Sequence, residues 1–248
     1  MNRLAAKIDA LYDATLALVF PETCAVCGAS VEARADSPAC EACWRKTRIF
    51  TGAETICWKC GAEALGEVEP EKRAEVRCRR CEDEAFTAAR ALGAYEGALR
   101  ASVLALKHEP HVAGRLSGLL SEAQRREPLD ASTRILPVPL HPERERLRGF
   151  NQAATLALAL SARTRLPLDE RTLTRITHTE RNRAGMDRRG RRETVADAFA
   201  VRRPRLVEGE RILLIDDVFT TGATASSCAQ ALKAAGALDV FVLTVARA

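Results

Sequence analysis

Two adjacent carboxylates, Asp216 and Asp217, follow a short unbroken apolar run, Ile212-Leu213-Leu214-Ile215, and precede the hydroxyl-rich stretch Thr220-Thr221-Gly222-Ala223-Thr224. Such a run predicts a strand covered on both faces in a parallel sheet, and the carboxyl edge of such a sheet is where ligands sit. Hydroxyls and one glycine opening a helix offer unpaired backbone N–H groups and the positive end of the helix dipole, which together cradle a phosphate. Two acids would repel that phosphate, but they accept hydrogen bonds from the vicinal hydroxyls of a sugar. A pentose 5-phosphate satisfies both halves. Behind the loop Ala225, Cys228, Ala229 and Leu232 recur at helical spacing, which makes Cys228 a buried thiol.

Two basic stretches could complete a site. Arg144, Arg146, Arg148 and Gly149 fall between an expected strand and an expected helix, where guanidinium forks and helix-start N–H groups suit a pyrophosphate. Glu143 and Glu145 nearly cancel them, so the plain alternative is a solvated charged loop. Residues 171–192 hold eight arginines against Glu180 and Asp187, with no apolar periodicity from Thr177 to Gly190. Arg181, Arg183, Arg188 and Arg189 in this loop suit a lid over a bound diphosphate or a patch that tracks nucleic-acid phosphates.

The nine cysteines carry a second chemistry. Eight form CxxC pairs at Cys24/Cys27, Cys40/Cys43, Cys57/Cys60 and Cys78/Cys81. Two knuckles of this kind close a tetrahedral zinc site of four thiolates, and a stretch with so little apolar periodicity needs such a staple. Sequential pairing gives intervening lengths of 12 and 17 residues, the second within the zinc-ribbon range. An interleaved cross-brace stays open at this stage. A redox CxxC would need a thioredoxin-like βαβ setting, which four pairs without one do not offer. Closed four-thiolate sites are structural. Trp44, Trp58, Arg45, Lys46, Arg48 and Lys59 beside them suit either a single-strand stacking platform or the core and rim of a small module.

These groups need a scaffold. Strands are expected over Ala88–Tyr95, Ser132–Pro139, Ala198–Val201 and Val240–Val245, and helices over Ala98–Lys107, Val112–Arg125, Ala153–Ser161 and from the phosphate loop to about Ala235. Residues 1–20 read as an amphipathic helix through Leu4, Ile8, Leu11, Tyr12, Leu18 and Val19, 21–84 as the zinc-ribbon module, and 85–248 as an α/β domain. The 248 residues, 47% hydrophobic, suffice for one sizeable core and a small module. A net charge of +5 permits an anionic substrate or nucleic acid without requiring either. Charges at Arg3, Lys7, Asp9 and Asp13 exclude a transmembrane segment at the start, and the cysteine usage points to a reducing, cytoplasmic setting, with membrane association only through partners.

Ile212 to Thr224 resembles, at every position, the 5-phosphoribosyl 1-pyrophosphate (PRPP) signature of type I phosphoribosyltransferases. That resemblance implies a twisted parallel sheet flanked by helices, Asp216 and Asp217 on the ribose, Thr220 to Thr224 on the 5′-phosphate, and Mg2+ entering with PRPP. Leu106-Lys107-His108, Pro137-Val138-Pro139, Arg148-Gly149-Phe150-Asn151-Gln152, the Arg181-Asn182-Arg183 region and the four CxxC pairs extend the likeness to the ComF (ComFC) family, from about residue 15 to the carboxyl end. Members of that family join a zinc ribbon to a phosphoribosyltransferase-like domain and are linked to the uptake of transforming single-stranded DNA. The resemblance therefore implies single-stranded DNA, a DNA-uptake helicase or another DNA-processing protein as partners. A second expectation is an active phosphoribosyltransferase of the amidophosphoribosyltransferase kind with an unknown small acceptor. Thr220 stands where purine-salvage enzymes carry an Asp base, and Met1-Asn2 offers no amino-terminal Cys nucleophile for an attached glutaminase.

Overall fold

The computed structural model describes residues 22–64, 66, 68–176 and 198–248. The expected amphipathic helix over 1–20 and the basic loop carrying Arg181, Arg183, Arg188 and Arg189 lie outside the described residues. Helices are α1 (Glu41–Lys46), α2 (Gly97–Ala105), α3 (Gly114–Gln124), α4 (Pro142–Arg148), α5 (Gln152–Thr164) and α6 (Ala223–Ala234). Strands are β1 (Ala88–Ala91), β2 (Arg134–Pro137), β3 (Leu173–Arg175), β4 (Phe199–Val201), β5 (Arg211–Phe219) and β6 (Asp239–Arg247).

A four-stranded parallel sheet in the order β1-β6-β5-β2 forms the centre, which is the expected α/β architecture. The central stretches of its middle strands, Ile212–Ile215 and Val240–Leu243, are apolar because helices cover both faces. Leu213 and Ile215 of β5 share one core with Leu156 and Leu160 of α5 and Leu120 of α3, whereas Ile212 and Leu214 share another with Cys228, Ala229 and Leu232 of α6. Ile212 through Ile215 are wholly buried, and each such side chain contributes about 1.5–3 kcal/mol. β2 stops at Pro137, in register with Ile215, as a proline at the sheet edge requires.

Three expectations need correction. β5 does not end before the acids but runs on to Phe219, because β6 is long enough to pair with it as far as Phe219↔Arg247. The arginines 144, 146 and 148 are not on a loop: Pro142 at the first turn, acids early and arginines late favour helix α4, capped at its start by His141 and at its end by Gly149. β4 is not part of the main sheet but pairs antiparallel with β3 as a separate ribbon.

The cysteine-rich segment docks directly on the sheet. The amide of Phe50 donates to the Leu92 carbonyl at 2.7 Å, that of Ala89 to the Lys59 carbonyl at 2.7 Å, and the Arg247 guanidinium to the Cys60 carbonyl at 2.6 Å. Gly61 sits so close that a Cβ would lie 2.7 Å from the Ala89 oxygen, so no larger residue fits. Among the described residues no helix is long and apolar enough to cross a membrane.

Candidate functional site

The carboxyl ends of β5 and β6 carry the acids. Asp216 pairs with Thr244 of β6 and lines a small cleft of about 40 Å3 with Val218, Phe219, Thr220, Gly222 and Thr224. Asp217 is held from the other side, where Gln152 donates to its carboxylate at 3.2 Å. Gln152 in turn accepts a short hydrogen bond from Arg148. Asn151 caps α5 through Ala153 at 3.0 Å and donates to the Val138 carbonyl at 3.0 Å, which fastens the start of that helix to the end of β2. The stretch from Arg148 to Gln152 and the acid pair are therefore one hydrogen-bonded unit, although 65 residues separate Gln152 from Asp217.

The two acids are not equivalent. Burial, and next the neighbouring Asp217 carboxylate, push Asp216 up to about 8. The Asp217 amide donates to Asp216 at 2.9 Å and offsets only part of this. Near neutral pH Asp216 carries its proton for much of the time. It can then act as donor as well as acceptor toward a sugar hydroxyl. Burial and the Asp216 charge also push the Cys228 thiol far up, so Cys228 is an inert core residue, as its spacing predicts.

The threonine-rich loop turns at Gly222, whose φ of +85° belongs to the left-handed region. A Cβ there would lie 2.9 Å from the Phe219 ring and 3.5 Å from that of Phe86. Those rings pack edge to face with centroids 5.8 Å apart. Gly222 before α6 has no side chain to cap it, and Thr221 Oγ1 accepts from the Ala223 amide at 3.4 Å, at the start of α6 beside the cleft. Thr220 and Thr221 are exposed there. Arg144 and Arg146 are exposed on α4 while Arg148 is half-buried against Gln152, so of these three only Arg148 joins the acid pair.

Sequence reasoning missed Arg247. Its guanidinium lies 4.8 Å from the centroid of the Phe219 ring while donating to Cys60, which braces the loop against a zinc knuckle. A lone arginine at the end of a strand gives no pattern that would reveal this.

The cysteines form two groups, Cys24, Cys27, Cys40, Cys43 and Cys57, Cys60, Cys78, Cys81, the sulfurs of each lying within 4.8 Å of one another. Sequential pairing is thereby settled. Individual Sγ–Sγ separations are 3.7 Å for Cys27 and Cys40, 3.6 Å for Cys57 and Cys81 and 3.5 Å for Cys60 and Cys78, against about 3.8 Å for four sulfurs each ~2.3 Å from one tetrahedral ion. The donor set and spacing thus fit structural zinc. Burial pushes the Cys24 and Cys57 thiols up, but backbone N–H donors, from Cys40 at 3.3 Å and Cys78 at 3.3 Å among others, bring each down to about 6. Trp44 is 2% exposed with Arg115 over its ring, so of the two alternatives it belongs to the core of the module and not to a single-strand stacking platform.

A family profile described as a double zinc ribbon domain matches residues 15–82. The chain is 30% identical over 216 residues to "DNA utilization protein YhgH" of Escherichia coli O157:H7, covering 84% of this chain and 89% of that protein. It is 33% identical over 131 residues to "Competence protein F" of Haemophilus influenzae, covering 51% and 56%, and 35% identical over 114 residues to "Competence protein ComFC" of Bacillus subtilis, covering 46% and 44%. Among solved structures a glutamine PRPP amidotransferase from B. subtilis, complexed with ADP and GMP, aligns at 18% identity and a TM-score of 0.40 over 57% of this chain and 30% of that one.

Proposed function

The chain belongs to the ComF family, and on that footing we propose that it binds PRPP or a related nucleotide phosphate at the β5 edge and serves DNA uptake in natural transformation. Asp216 and Asp217 take the ribose hydroxyls, the Thr220–Thr224 loop and the start of α6 take the 5′-phosphate, and Arg148 with the other α4 arginines faces the pyrophosphate. The observation that carries this reading is the Arg148–Gln152–Asp217 chain of hydrogen bonds, which joins an arginine, a ribose acid and the helix start at one sheet edge. Mg2+ enters with the diphosphate and neutralises its charge. Single-stranded DNA or a DNA-processing protein such as an uptake helicase is the further partner, and the setting is cytoplasmic.

Titration of the purified protein with PRPP and Mg2+, repeated with Asp216→Ala and Asp217→Ala and with a labelled single strand in competition, tests it. Saturable PRPP binding that both substitutions abolish is the expected result. Retention of full affinity by both variants would sink the reading. Mutual exclusion of PRPP and the strand would put the 5′-phosphate of a DNA end in the same cradle.

A second reading, an active phosphoribosyltransferase, draws on the placement of Asp216 in the cleft beside Thr220 and Thr224. Asp216 at about 8 lies in the range of a proton carrier at neutral pH. Release of pyrophosphate from PRPP in the presence of candidate amine acceptors, lost in Asp216→Asn, distinguishes transfer from binding alone.

A further inference from the structure

A recess with both aromatic and cationic walls lies away from the acids, at the outer edge of β1. It encloses about 410 Å3 between the second zinc ribbon, β1 and the end of α3, within the range of small-molecule sites. Ala91 of β1 lines it, and Ala91 is in register with Thr244, which is in register with Asp216, so the recess lies two strands across the sheet from the ribose acids.

Its chemistry is specific. Trp58 and Phe50 are half-exposed on its wall, in contrast to the buried Trp44. Arg90 stacks on Trp58 at 5.0 Å and is fixed there by donating to the Trp58 carbonyl at 2.7 Å and the Ala89 carbonyl at 2.8 Å. Arg126 donates to the Phe50 carbonyl at 2.7 Å. The Nε of Arg73, a third lining arginine, is buried with no hydrogen-bond partner among the described residues. Of the two acids present, Glu54 spends its carboxylate on the amides of Thr51 at 2.8 Å and Gly52 at 2.9 Å, and Glu127 is exposed. Three guanidiniums thus exceed the free negative charge, one of them with an unused donor, beside two ring faces.

We propose that this recess binds a nucleotide through its base and phosphate, the base against Trp58 and Phe50 and the phosphate on Arg73 and Arg126. The ligand is either a free mononucleotide or the end of a single strand, since both present a planar ring joined to a phosphate. The site goes beyond the phosphoribosyl reading and uses none of its residues.

The chain has two tryptophans, and only Trp58 faces the recess, so quenching of intrinsic fluorescence reports this site. The full-length, zinc-loaded protein is titrated with dAMP and, separately, with a short 5′-phosphorylated oligo(dA). The same titrations use an Asp216→Asn, Asp217→Asn double variant, Arg73→Ala, Arg126→Ala, and Trp58→Phe followed by calorimetry. Zinc content and far-ultraviolet circular dichroism check that each variant folds. Saturable quenching is expected in the native protein and the double variant, weakened about tenfold by either arginine substitution. Quenching by dAMP alone identifies the free mononucleotide; quenching by the oligomer, with or without a response to dAMP, identifies a strand end. Absence of saturable quenching by both ligands overturns the proposal, as does quenching that vanishes in the double variant and is unchanged in Arg73→Ala.

Discussion

Gln152 donates to Asp217 at 3.2 Å and accepts from Arg148, so a glutamine at the start of α5 couples an arginine at the end of α4 to a carboxylate on β5. A hydrogen bond to a charged group typically contributes about 1.5–3 kcal/mol. Gln152→Ala is expected to lower PRPP affinity at least about tenfold, with Gln152→Glu worse because it sets a second carboxylate against Asp217. Calorimetric titration with PRPP and Mg2+ measures both, and thermal unfolding should show that the Ala variant remains folded.

Asp216 gives the molecule a pH signature. In the unfolded chain an aspartate titrates at ~3.9, whereas here it is pushed up to about 8. Between those values the native state holds a proton that the unfolded state has lost. This group therefore makes stability fall as pH rises from about 4 to about 8 and adds no slope above that. Asp216→Asn should flatten this segment of the profile and be the more stable form at alkaline pH, as read from unfolding free energies across the series. A profile identical to that of the native protein would mean that Asp216 titrates normally.

Gly222 allows a close turn that other residues resist. Gly222→Ala forces a Cβ to within 2.9 Å of the Phe219 ring and strains a φ of +85°, a cost of about 1–3 kcal/mol. The expected result is a modest fall in melting temperature with a disproportionate loss of PRPP and inorganic phosphate binding. Equal binding in variant and native protein would show that this turn is not the phosphate cradle.

Metal content and ligand binding should separate at Arg247. Cys24→Ser and Cys57→Ser are each expected to cost one zinc of two, measured by elemental analysis, together with a large drop in melting temperature. Arg247→Ala should keep both ions while weakening PRPP binding severalfold, because it frees the Phe219 ring from the Cys60 knuckle. Loss of zinc in Arg247→Ala would instead make that arginine a support of the metal site.

The elements that read clearly in the sequence are those where local chemistry and tertiary context agree. The apolar run Ile212–Ile215 and the helix behind Gly222 each carry a pattern that one arrangement satisfies, and the eight paired cysteines carry one that metal ligation satisfies. Other features depend on partners far away in the chain. The extension of β5 to Phe219 depends on the length of β6, and α4 emerges only when Pro142 and the order of its charges are weighed together. Spacing alone leaves open whether Cys24 joins Cys40 or a later knuckle, because it constrains loop length and not partner. The β3–β4 ribbon is invisible as a unit, since three-residue strands have too few positions to show a period. At the site, the acids and threonines are legible individually. The Gln152 bridge and the Arg247 brace are not, because each joins residues that only folding brings together.

The two cysteine quartets belong to different halves of the interior, the first packed with the helices on the α3 and α5 side and the second with the layer beneath α6. Neither ion is consequently an ornament on an appendage. Stripping the first would loosen the layer beneath Gln152, and stripping the second would loosen the floor of the threonine turn, so zinc starvation slackens the central sheet from both of its faces at once.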